Sequence, residues 1–216
     1  MVRGFLDDAA RKAFADTVTA IEAVSAVEVV VSVRIRTRRW LHAHLLVGLV
    51  ATWAALAFML YAAHPFALAS FLIDPLLAGA VAGAASTLVP AVVRALTPRA
   101  IRRRAVVEAA RATFLERGVH HTAGRTGVLL YVALTERMAV LIADDGVERA
   151  VDPARWQEAA AAIDRAVAAG GHATATALAR LTSICAHALP RSHDDVNELP
   201  DAIDDGGRPP AREASP

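Results

Sequence analysis

The chain has 216 residues, 55% of them hydrophobic and 21% charged, which excludes a disordered polymer and leans toward a membrane protein. A formal net charge of +1 excludes an overall basic field for holding nucleic acid. The single cysteine, Cys185, excludes an intrachain disulfide framework and reads as a reduced, buried thiol.

The N-terminal stretch MVRGFLDDAARKAF carries acids and no apolar segment, so it does not read as a cleavable signal peptide. Phe5 to Val24 is Ala-rich and helix-forming, with Phe14, Val18, Ile21 and Val24 near one face. VEVVVSVRIR, from Val27, is rich in β-branched residues and predicts a strand. A helix and one strand cannot form a stable core, so this strand needs partners from elsewhere.

Leu41 to Ala63 contains no Asp, Glu, Lys or Arg and is long enough, at about 1.5 Å per residue, to cross a hydrocarbon core of about 30 Å. Trp40 and Tyr61 suit its two interfaces. A second apolar stretch runs from Phe66 to Val93 with Asp74 as its one charge. Asp74-Pro75 has the form of a helix start, cap plus first-turn proline, which puts the second crossing at about 75–96, kinked at Pro90. A buried, functional Asp74 is the alternative. Gly79 and Gly83 form a GxxxG pair, expected to pack against the first helix or a second subunit. Arg34, Arg36, Arg38 and Arg39 precede the first helix; Arg94, Arg99, Arg102, Arg103 and Arg104 follow the second; the connection has neither Lys nor Arg. The positive-inside rule then places both termini in the cytoplasm, with the helices in the inner (cell) membrane.

Arg99 to Arg117 predicts a helix ending at Gly118. TGVLLYVAL (Thr126 to Leu134) and MAVLIAD (Met138 to Asp144), separated by Thr135-Glu136-Arg137, predict a β-hairpin. Asp152-Pro153 opens a helix that stops near Gly170-Gly171, and a last helix spans about Thr174 to Leu189. The Pro-, Gly- and acid-rich tail is expected to be disordered. Together these segments predict one α/β domain split between residues 1–39 and 98–190, a transmembrane hairpin at 40–97, and a tail at 191–216. The continuous apolar strands suit a sheet covered by helices on both faces.

The stretch from Arg125 to Pro153 resembles the TPM domain, a family named from a thylakoid lumen phosphatase-like group. It has that family's TGVLL strand (Thr126 to Leu130) and an acidic turn after the next strand (Ala143-Asp144-Asp145-Gly146-Val147). Ile21 to Val33, with Glu28 before Val29, Val30 and Val31, is similar to the family's first helix and strand. The resemblance implies a small α/β/α sandwich. For some relatives it implies phosphatase activity or calcium binding, and for others a role in membrane-complex assembly.

Candidate site residues are those nearest strand ends: Glu28, Arg125, Asp144, Asp145 and Glu148. Several carboxylates would suit a divalent cation such as Ca or Mg, while the same acids also read as turn and helix caps. The Asp-rich loop of the calcium-binding relatives is replaced here by RIRTRRW and an apolar helix, which argues against a metal or a phosphatase. Among the histidines there is no HExxH; His120 and His121 are adjacent and would point apart on regular structure, and His42 and His44 lie about 200° apart around a helix. Neither GxSxG nor a phosphate-loop spacing occurs. The expected function is therefore a non-enzymatic binding or assembly module at the cytoplasmic membrane face. Its partners would be the bilayer and either a membrane protein or further copies of itself, with no confident cofactor. The alternative is a membrane-bound phosphatase or metal-dependent hydrolase using Glu28, Asp144 and Asp145.

Overall fold

A computed structural model describes residues 2–192, 198–199 and 203–205. The chain divides into two compact units, one of residues 1–37 with 103–216 and the other of residues 38–102.

In the first unit, a short helix α1 (Val2–Phe5) leads to α2 (Asp8–Val24), whose N-cap Asp7 accepts a hydrogen bond from Ala10 N at 2.7 Å. Ala10, Phe14, Val18 and Ile21, spaced by three or four residues, form the buried stripe of α2, while Val24 is exposed. Strand β1 (Glu28–Arg34) follows, and the chain leaves this unit after Thr37.

The second unit holds α3 (Leu41–Tyr61), α4 (Leu68–Ser86) and α5 (Pro90–Leu96). Asp74-Pro75 does not start a helix. Both residues lie inside α4, which begins seven residues before Pro75, and Asp74 is exposed. The apolar run LASFLI extends the helix backward through the proline, at the loss of one backbone hydrogen bond. The break comes instead at Thr87–Val89, where N–H groups bond three residues back rather than four. Val89 is extended, as the residue before a proline prefers, and Pro90 is the first residue of α5. The second long apolar helix is thus 68–86, not 75–96. Helices α3 and α4 pack directly on each other: a Cβ on Gly79 would collide with Thr52 and stand 2.7 Å from Gly48 O.

Helix α6 (Arg99–Glu116) re-enters the first unit and stops two residues before Gly118, whose φ is 66°. Strands β2 (Gly127–Ala133) and β3 (Met138–Ala143) pair antiparallel, and β1 pairs parallel to β2, giving the order β1-β2-β3. The apolar strands read as continuous because both faces are buried. Val29, Val31, Val128, Leu130 and Val132 join α2 and the later helices, whereas Val30, Leu129, Tyr131 and Val140 pack on Val106, Ala110 and Phe114 of α6.

Among the described residues the remaining α-helices are α7 (Asp145–Ala150), α8 (Pro153–Ala166), α9 (Gly171–Leu178) and α10 (Arg180–Ala188), with a 3-10 turn at Val167–Ala169 after α8. The acidic turn after β3 is in fact the start of α7, capped by Asp144. The last helix is broken in two at Ala179, where Thr182 N bonds to Ala179 O. On each edge strand one outward N–H is taken by a carboxylate. Asp164 of α8 accepts from Ala139 N (2.8 Å) on β3, and Glu22 accepts from Val29 N (3.0 Å) on β1. Most of the tail expected to be disordered lies outside the described residues. The described part does not float free, because Asp204 bridges to β1 beside Ser32.

Candidate functional site

The starts of β1 and β2 and the end of β3 fall in one row. Glu28 is registered with Gly127, and Asp144 N donates to Gly127 O at 2.9 Å. Glu28 and Asp144 therefore lie at the same end of the sheet, on either side of the central strand. The turn before β2 is fixed by Thr126 N donating to Thr122 Oγ1 (2.8 Å) and holds Arg125 at a φ of 54°. Gly146 lets the next loop approach, since a Cβ there would stand 2.6 Å from Arg125 O.

This packing brings Arg125, Asp144 and Asp145 together. The Arg125 guanidinium pairs with Asp144 Oδ1 at 2.8 Å and reaches Asp145 Oδ2 at 3.8 Å. Asp144 Oδ1 also accepts from Asp145 N at 2.8 Å as the cap of α7. Its Oδ2 is buried without a hydrogen-bond partner. Glu28, also buried, accepts through Oε1 from Glu198 N (2.8 Å), and Glu198 in turn accepts from Ala123 N (2.7 Å). Glu148 is exposed one turn along α7, lining a shallow pocket of about 240 Å³ with Val151 and Trp156. Trp156 itself packs against the core under α8.

These residues do not fit a divalent cation. Among the described residues no three His, Cys, Asp or Glu side chains cluster as a metal cage would require. One oxygen of Asp144 is already bound to a guanidinium, which places a positive charge where an ion would have to sit. The row also lies at the N-terminal ends of the two parallel strands, whereas ligands of open α/β sheets gather at the carboxyl ends.

At those carboxyl ends the structure gathers residues that the sequence did not mark as a site. Glu136, fully buried in the β2–β3 turn, accepts from Thr37 N (3.2 Å) and Thr37 Oγ1 (2.7 Å), and so braces the exit of β1. On the α6 face of the sheet, Asp204 takes both Arg34 and Arg117, each at 2.5 Å, and accepts from Ser32 Oγ at 3.2 Å. Burial among these groups pushes the Tyr131 phenol up to about 12, with Arg34 opposing the shift. Burial also pushes the Cys185 thiol up to about 12. His120 and His121 do not point apart. They sit in a turn rather than on regular structure, with ring centroids 3.9 Å apart.

No family model matches the chain, and no curated protein matches it. Among solved structures it is similar to the NMR structure of the BA42 protein from the psychrophilic bacterium Bizionia argentinensis. The two share 17% identity over 94% of this chain and 96% of that one, with a TM-score of 0.56. At that identity the likeness speaks for the mixed α/β fold alone.

Proposed function

We propose that the chain is a membrane-anchored, TPM-like α/β domain that binds or helps assemble a membrane partner at the cytoplasmic face, without catalysis of its own. The observation that carries this reading is the exposure of the two long helices. α3 and α4 have mean hydropathies of 2.0 and 1.7 over their apolar windows, yet only 17% and 11% of those windows is buried. A soluble core helix of that composition would be covered; away from their shared seam these present exposed leucines, as a lipid-facing helix does. Arginines flank both helices and the connection has none, which supports both ends of the pair facing the cytoplasm of the inner (cell) membrane. The Arg125–Asp144 pair, closed on itself as a cap, supports a binding role over a catalytic one.

Purification in mild detergent is the test. A stoichiometric membrane partner or a homo-oligomer is expected, and a monomer that copurifies with nothing overturns the proposal. Single cysteines introduced near residues 36 and 100 should label only from the cytoplasmic side. Native Cys185 should stay silent in that assay, being fully buried with its thiolate disfavoured. The partnerless Asp144 Oδ2 favours one rival, a hydrolase. Phosphatase assays with divalent cations on wild type and Asp144→Asn decide it: activity lost in the variant establishes the rival, and equal rates remove Asp144 from any chemistry.

A further inference from the structure

β1 is an edge strand whose outward backbone groups include Val31 O and Val33 N. Both are bonded to a single residue, Asp204, through its N–H (2.9 Å) and its carbonyl (2.7 Å), in parallel register. The side chain of that residue is only 7% exposed. It sits between the guanidiniums of Arg34 on β1 and Arg117 just beyond α6, with the Ser32 hydroxyl donating to it as well. Asp205 adds a pair to Arg11 at 2.9 Å on the exposed margin. Two cations from separate elements and a hydroxyl converge on one carboxylate, next to two strand-edge hydrogen-bonding groups. Nothing in that recognition depends on the carboxylate belonging to this chain. Strand addition reads backbone, and the socket reads one acid.

We infer that the β1 edge with its Arg34–Arg117 socket is a docking site for an extended, acidic segment of a protein partner, and that Asp204 occupies it in cis until such a segment displaces it. The inference deepens the binding-module reading and rests on it by naming the surface and the partner's chemistry. A tethered occupant acts at an effective concentration on the order of millimolar, so a free segment must outcompete it.

The probe is a fluorescent peptide with the sequence of residues 198–205, ELPDAIDD, titrated into the full-length protein in detergent and read by anisotropy. Asp204→Lys, which expels the resident acid from between two arginines, is expected to bind the peptide at least tenfold more tightly than wild type. Asp204→Ala serves as the milder second variant, and thermal melting confirms that each is folded. Binding should weaken at least tenfold when Arg34→Ala is combined with Asp204→Ala, and it should fall with added salt. Equal affinity for wild type and both Asp204 variants, or no binding to any of them, overturns the inference and leaves the tail contact purely structural. Because the peptide assay needs no cellular partner, its failure is separable from a failure of the copurification test.

Discussion

The two units of this chain keep their shape by opposite means. In the split α/β unit the apolar side chains are inside: Leu130 at the centre of β2 is wholly buried, and the glycines serve loops, as Gly146 does in letting the Arg125 turn approach. In the helix pair the apolar side chains are outside. Val50 is 61% exposed and Leu45 70%, and the glycines form the seam, with Gly48, Gly79 and Gly83 packing backbone against backbone. Exclusion from water holds the first together. In lipid, where the proposed function places the pair, leucine would gain nothing by turning inward, and close backbone approach with van der Waals contact would hold the two helices together. The same residue type therefore carries opposite meaning in the two units, and substitutions can expose the difference.

The largest effect is expected at Leu130. Leu130→Ala removes a wholly buried side chain from the central strand and should destabilise the α/β unit by about 2–5 kcal/mol, measured by denaturant unfolding in detergent. A cost below about 1 kcal/mol would mean that the sheet face is not packed as described. The next test is Val50→Asp at the middle of α3. On a water-facing surface such a change typically costs within about 0.5 kcal/mol. At the centre of a bilayer it should cost about 3 kcal/mol in an insertion assay. An indifferent outcome would place the helix pair in water and collapse the contrast between the units.

Much of this division is legible in the sequence, and what is not has a common cause. VVVSV, VLLYVAL and AVLIA announce strands through local composition, and the charge-free run from Leu41 announces α3. Asp74-Pro75 misleads because a local cap signal competes with a helix that is apolar on both sides of it, and the longer-range preference wins. Asp144, which reads equally as a turn or a helix cap, caps a helix because α7 packs Val147 into the core, a gain the local residues themselves do not display. Asp204 is the least legible of all. Its importance depends on Arg34, 170 residues earlier, and within its own segment it is one acid among several.

The smallest effect tests whether the helix boundaries of the α/β unit rest on local chemistry, as the cap at Asp152 implies. Asp152 accepts from Ala154 N (2.8 Å) and Arg155 N (3.0 Å) at the start of α8. The hydrogen bonds from Arg155 and then Ala154 hold its carboxyl below the usual value of 3.8. A folded-state pKa below the unfolded one means that the charged cap stabilises the fold above that usual value, and that this contribution fades as the pH drops through the lowered one. The side chain is exposed, so the effect is small and screened by salt. Wild type should therefore melt slightly above Asp152→Ala at neutral pH, and the gap should narrow on acidification below about pH 4. A gap that stays constant or widens in acid would show that α8 starts where it does because of packing, as α7 does, and not because of its cap.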